Sequence, residues 1–258
     1  MGTRMSTTIT TRALAVGHGG RPVLQGLDLD VPEAALTAVL GVNGVGKSTL
    51  LRTLAGLDRP LAGTVRVAGS DPFAMAGAER ARLLAVVLSG RPAGGLVDVR
   101  TLVGLGRQPW TGLFGSFSAA DRSAVDGAMD RVGISALAAR TVQELSDGEA
   151  QRVMVARALA QDTPVLLLDE PAAFLDVVNR AHQMSLLRAL ADEGRTVLFT
   201  THDLAMALDA ADRLVLLAAD GAWQGTPREA LGSGALARAF AHEGLRFDPA
   251  TRSFRPVP

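Results

Sequence analysis

The chain has 258 residues, enough for one large α/β domain with a substantial buried core. Its 26 basic residues balance 26 acidic ones, which excludes the polyelectrolyte signature of a nucleic-acid partner or of binding to an anionic membrane surface. Cysteine is absent, which excludes a disulfide framework and thiol chemistry, and no apolar run approaches the roughly 18 residues that a membrane span needs.

The N-terminal MGTRMSTTIT has no apolar centre that would serve as a secretion signal. Residues 7–16 and 26–40 then carry short alternating or β-branched runs broken by Gly and Pro, which predict strands. TAVL (37–40) leads into the glycine-rich GVNGVGKST (41–49), and STLLRTLAGL follows with helical periodicity. GTVRVAG (63–69) alternates as a strand does. From about 90 to 144 strand signals vanish, and VRTLVGLGR, SAADRSAVDGAMDRVG and ALAARTVQEL read as helices or helical turns. After 149 the order is helix, strand (PVLLLDE), helix (VVNRAHQMSLLRALADEG), strand (TVLFTTHD), helix (DLAMALDAA), strand (RLVLLAA). Helices alternating with apolar strands predict a parallel sheet covered on both faces, an α/β fold with an inserted helical segment.

GVNGVGKST satisfies the phosphate-loop pattern at Gly41, Gly46, Lys47 and Ser48, after an apolar strand and before a helix. Glycines, including Gly44, let successive N–H groups turn inward, and the helix start adds positive potential, so the loop from Gly41 through Asn43 to Thr49 is expected to hold a triphosphate. Lys47 neutralises its terminal phosphates and the Ser48 hydroxyl ligates Mg²⁺ in this reading. Lys47 is the only lysine among the 26 basic residues. A compact ammonium is not replaced by a planar guanidinium, so its survival at this one position carries weight.

VLLLDE places Asp169 and Glu170 at the end of a buried strand, where open α/β sheets bind ligands. Asp169 is expected to hold Mg²⁺, through water, and Glu170 to act as general base for an attacking water. A carboxylate pair there could instead cap the next helix. TVLFTTHD offers His202 at the end of the following strand, within reach of a terminal phosphate. LSDGE (145–149) opens the helix after the inserted segment; it is either a cap serving that helix or a reader of phosphate.

Together these motifs resemble the ABC-type ATPases. GVNGVGKST, LSDGE, VLLLDEP, AAFLD and TTHD follow in that family's order and approximate spacing, from before His18 to about Arg228. The resemblance implies a single cassette: residues 1–89 and 149–258 as nucleotide-binding core, with an N-terminal antiparallel β part, and 90–148 as a helical subdomain ending in the signature loop. It implies a homodimer packed head to tail on ATP and Mg²⁺. Ser146 and Gly148 of LSDGE then face the nucleotide held by the partner chain, with Asp176 in the D-loop and His202 as the switch histidine. It further implies integral-membrane permease subunits docked on the helical segment, an indirect link to a substrate-binding protein, and a peripheral place on the cytoplasmic face of the inner membrane. Leu96 and Val97 belong to that lever or to its core.

Four positions in three motifs depart from the family pattern. Ser89 stands where a glutamine usually contacts Mg²⁺ and water, so serine's contact needs a bridging water or a shifted loop. Asp147 replaces a glycine and Glu149 a glutamine in the signature. His18 occupies the place of the aromatic that stacks on adenine. The run TLVGLGRQPWTGLFGSFSAADR and the short tail ending FDPATRSF are similar to ATPase subunits of bacterial importers of iron chelates, haem and cobalamin, with iron–siderophore uptake the leading expectation. A soluble ATPase of DNA repair or translation, and an ATP-dependent clamp that barely hydrolyses, are the competing classes.

Overall fold

The computed structural model of the chain describes residues 6–92, 95–111, 116–218, 221–240, 245–248, 251 and 253–256. Strands β1 (Thr7–His18) and β2 (Arg21–Pro32) form an antiparallel hairpin. Gly17 and His18, beyond the predicted run, continue the pairing, and the turn falls at Gly19 and Gly20. A Cβ on Gly17 would lie 2.0 Å from the Arg21 carbonyl oxygen, so glycine there permits a close strand approach and is not a break. The apolar run 26–40 also divides. After Pro32 the chain turns, Ala34 adopting a positive φ, and β3 (Leu36–Leu40) enters a different sheet.

The phosphate loop and α1 (Lys47–Leu54) follow, then β4 (Ala62–Val67), which pairs with the free edge of β1 in the three-stranded order β2-β1-β4. Next come α2 (Gly77–Leu83), β5 (Leu84–Val87), α3 (Val99–Gly104), α4 (Ala119–Val132), α5 (Asp147–Ala160), β6 (Val165–Leu168), α6 (Val177–Asp192), β7 (Thr196–Thr201) and α7 (Leu204–Ala210). The chain continues through β8 (Arg213–Ala218), β9 (Gly221–Gly225), α8 (Pro227–Gly232), α9 (Ala235–Ala239) and the hairpin β10 (Leu245–Asp248) and β11 (Ser253–Pro256).

The main sheet has the order β5-β6-β7-β3-β8-β9, parallel except for β9. Residues of β3, β6 and β7 are buried throughout, as strands covered on both faces require. Alternation splits them between two cores. Leu36, Ala38, Leu40, Leu166, Leu168, Val197 and Phe199 pack with α3 to α7. Val39, Val165, Leu167 and Leu198 face α1 and the antiparallel sheet. Because β3, β6 and β7 are parallel neighbours, their C-terminal ends open at one edge, and every loop leaving them enters the same space.

In the inserted segment, α3 and α4 pack on α5, which also touches β5. α3 continues into a 3₁₀ turn at Leu105–Trp110. ALAARTVQEL forms only two short 3₁₀ turns, Ser135–Leu137 and Val142–Glu144. Its carbonyls at Ala138 and Arg140 accept from the N–H groups of Arg100 and Val99, so its backbone partners lie across the segment instead of along a helix. Leu96 and Val97 are exposed, outside the core. Residues 112–115 of the TLVGLGRQPWTGLFGSFSAADR run, Gly94, and residues 249, 250 and 252 of the tail lie outside the described residues. Among the described residues no helix is long and apolar enough to cross a membrane.

Candidate active site

The loop 41–46 connects β3 to α1, and Gly46 (φ 111°, ψ 15°) caps α1 without any side-chain hydrogen bond. A Cβ on Gly46 would sit 3.0 Å from both Leu24 and Val23, so both conformation and space call for glycine. No acidic residue lies in the first turn, leaving that helix start to an external anion. Asn43, Gly44 and Ser48 are exposed at the loop surface. Lys47 is buried, its Nζ donating to the Gly41 carbonyl at 2.9 Å and to that of Val42 at 3.4 Å. Burial pushes its pKa down, and the nearby negative charges of Glu170 and Asp169 oppose that fall. His18, exposed at the end of β1, approaches Thr49 Oγ1 with Nε2 at 3.1 Å, tying the hairpin to the first turn of α1.

Asp169 follows β6 and is 1% exposed. Its Oδ1 accepts from Thr200 Oγ1 at 2.7 Å and its Oδ2 from Ser89 Oγ at 2.8 Å. Thr200 Oγ1 also accepts the Glu170 N–H at 2.9 Å, holding a residue whose φ is +50°. His202 Nδ1 lies 2.8 Å from Glu170 Oε2. With its proton on Nδ1 the imidazole donates to Glu170 and leaves Nε2 as an acceptor. Glu170, His202, Thr201, Ala173 and Phe174 border a cavity of about 250 Å³.

Two placements go beyond the sequence reading. Thr200 lies outside the motifs of the sequence, and its one signal there is a hydroxyl inside the apolar VLFTT run, two residues before His202. Ser89 serves the Asp169 carboxylate directly. The set offered to a cation is hydroxyl and carboxylate oxygen, which suits Mg²⁺. Among the described residues no group of three His, Cys, Asp or Glu is arranged to hold a metal ion by itself, so an ion here fits as one completing its shell with phosphate oxygens and water.

LSDGE is a cap in the isolated chain. Ser146 is the N-cap of α5, its Oγ accepting from the Glu149 N–H at 3.3 Å and donating to Glu149 Oε2 at 2.9 Å. The Ser146 N–H donates to the same carboxylate at 2.8 Å and is the main cause holding Glu149 below the usual carboxyl pKa. Gly148 abuts the loop before α6, where a Cβ would lie 3.0 Å from the Phe174 carbonyl oxygen. Asp176 caps α6, accepting from the N–H and side-chain amide of Asn179 at 2.8 and 2.7 Å. The structure thus joins Lys47, Asp169, Glu170, His202, Ser89 and Thr200 at one sheet edge. Within one chain, Ser146, Gly148 and Asp176 cap and pack elsewhere.

The sequence profile of the family described as ABC transporter matches residues 24–173. The chain belongs to the ABC transporter family. It is 42% identical, over 97% of its length, to the cobalamin import ATP-binding protein BtuD of Halobacterium salinarum, and spans 63% of that protein. It is 39% identical to the achromobactin transport ATP-binding protein CbrD of Dickeya dadantii, over 87% of this chain and 84% of that protein. To the hemin import ATP-binding protein HmuV of Streptomyces coelicolor it is 41% identical, over 88% and 81%. A solved inward-facing structure, described as a candidate metal-chelate type ABC transporter, superposes with TM-score 0.80 at 28% identity, covering 98% of each chain. A dimeric bacterial ABC transporter cassette superposes with TM-score 0.76 at 25% identity, covering 85% of this chain and 99% of that one.

Proposed function

We propose that the protein is the ATP-hydrolysing subunit of an ABC importer, and that its cargo is an iron chelate. The observation that carries hydrolysis is the Asp169–Glu170–His202 constellation beside the glycine loop, with Glu170 Oε2 held 2.8 Å from His202 Nδ1. Lys47 and the loop N–H groups hold the phosphates, and Ser48 and Asp169 hold Mg²⁺. The ion neutralises phosphate charge when bound. Glu170 keeps one carboxylate oxygen for an incoming water while His202 fixes the other, which is the arrangement a general base needs. His18 flanks the base of the nucleotide.

In this reading the working unit is a twofold dimer. Ser146 and Gly148 face the nucleotide on the partner chain, and Asp176 lies at the seam between them. A dimeric cassette of the same fold supports the assembly. Permease subunits dock on the helical segment, which places the protein peripherally at the cytoplasmic face of the membrane. Relatives named for achromobactin, ferric enterobactin and iron(3+)-hydroxamate transport support an iron-chelate cargo, with relatives named for cobalamin and hemin import keeping those cargoes as the alternatives.

The test is light scattering of purified Glu170→Gln with and without Mg²⁺–ATP, beside the same protein carrying Ser146→Arg. An ATP-dependent dimer abolished by Ser146→Arg is expected. A protein that binds ATP yet stays monomeric at every concentration refutes the dimer. Uptake of a ferric siderophore, haem or cobalamin by vesicles bearing the protein with its permease decides the cargo.

A further inference from the structure

The two signature residues that depart from the family pattern, Asp147 and Glu149, place two carboxylates at the opening of α5. A carboxylate in a first helical turn stabilises its own helix, but it opposes the positive potential that a loop facing polyphosphate should present. Two arginines answer them in the same way. Arg91 donates to the Leu145 carbonyl, just before Ser146, and its Nε lies 3.2 Å from Asp147 Oδ1, just after it. Arg140 donates to the Glu144 carbonyl at 2.6 Å and to Glu149 Oε1 at 3.1 Å. Each guanidinium bridges one carbonyl preceding Ser146 and one carboxylate following it, and together they offset the two negative charges of LSDGE.

We propose that Arg91 and Arg140 are positioning residues, two cationic clips that neutralise Asp147 and Glu149 so that LSDGE can accept the phosphates of a second chain's nucleotide. The proposal rests on the dimeric reading above. Both pairs are partly or largely exposed here, where ion pairs of this kind contribute little to the stability of the single chain. Their effect appears on closure, when water leaves the seam and an unpaired carboxylate facing phosphate is no longer screened. Arg91 has a further geometric advantage. It lies two residues beyond Ser89, whose hydroxyl holds Asp169, so one short segment touches the chain's own acid and its outward-facing loop.

The experiment measures the ATP-induced dimer of the Glu170→Gln protein by sedimentation velocity, with the affinity for Mg²⁺–ATP measured separately at low protein concentration. Arg91→Ala is expected to weaken the dimer about tenfold while leaving nucleotide affinity at the chain's own phosphate loop unchanged. Adding Asp147→Asn, which keeps the shape and removes the charge, is expected to restore the dimer to within about threefold of the parent. Arg140→Ala with Glu149→Gln tests the second clip in the same way. A merely structural arginine would not be rescued by removing the carboxylate. If Arg91→Ala dimerises like the parent, or Asp147→Asn gives no recovery, the clip is refuted while the dimer stands. If the parent binds ATP without dimerising, the dimeric reading falls and the clip falls with it.

Discussion

Replacing Thr200 by valine keeps the volume and removes one oxygen, and that oxygen serves two masters. It donates to Asp169 Oδ1 at 2.7 Å and accepts the Glu170 N–H at 2.9 Å, at a position with no solvent exposure. Loss of a hydrogen bond to a buried carboxylate costs about 1.5–3 kcal/mol, and a buried N–H left without an acceptor costs about 1–3 kcal/mol more. Partial relaxation and the gain from a second methyl group lower the sum, so the expected destabilisation is about 3 kcal/mol. At about 2–4 °C per kcal/mol for a chain of this size, the melting temperature falls by roughly 10 °C. Thr200→Ser keeps the hydroxyl and loses a methyl, about 1 kcal/mol and about 3 °C. Differential scanning calorimetry of the nucleotide-free proteins reads both. A valine variant melting within about 2 °C of the serine variant would refute the claim that this hydroxyl holds the two acids.

Two further outcomes follow from charge and burial. Lys47→Met is expected to lose tight Mg²⁺–ATP binding by calorimetric titration, yet not to lower the melting temperature of the nucleotide-free protein, because a buried ammonium is disfavoured by desolvation. Its folded pKa lies below the ordinary 10.5, so the unfolded chain binds more protons in the window between them. Parent stability therefore rises with pH through that window, and the Met variant lacks the rise. Asp121, held first by Ser118 and then by Arg107, has its carboxyl lowered from 3.8 to about 2. Its contribution is complete above 3.8 and is lost as pH falls towards about 2. Urea titrations of the parent and Asp121→Asn across that interval are expected to converge at the acid end; a constant difference would refute the linkage.

The parts most legible in the sequence were those whose chemistry is local. The phosphate loop is a strand, six loop residues and a helix start in one contiguous run, so its residues and their setting were read together. The continuous apolar runs of β6 and β7 announced a sheet buried on both faces. What stayed hidden depended on contacts distant in sequence. Gly17 looked like a terminator because its close approach to Arg21 is a property of the hairpin. ALAARTVQEL has helical composition, but its carbonyls are claimed by the start of α3. The helix α2, the edge strand β9 and the elements after it carry weak periodicity and take their shape from the surface they cover. Thr200 and Ser89 gain meaning only when β5, β6 and β7 lie side by side, bringing residues 80 and 31 positions away onto one carboxylate. Arg91 and Arg140, which contact LSDGE, were equally hidden, since nothing local links Arg91 to Asp147.

The state of LSDGE in the single chain also bears on how the proposed dimer opens. Ser146 is fully engaged, donating to Glu149 and accepting from its N–H. A phosphate arriving from a partner must therefore displace a carboxylate that already accepts the serine's hydrogen bond. Closure in the proposed dimer exchanges one anion for another as the hydroxyl's acceptor, so the net gain is the difference between two charge-assisted bonds and not the whole of one. Such an exchange gives small discrimination at this contact. The balance between open and closed in that dimer then rests on the summed differential contacts at two nucleotides, and a Ser146 without a phosphate acceptor has its own helix to return to. In the proposed dimer the capping and phosphate-reading roles of LSDGE are then alternatives in time, and the capping box supplies the partner to which the loop reverts on opening.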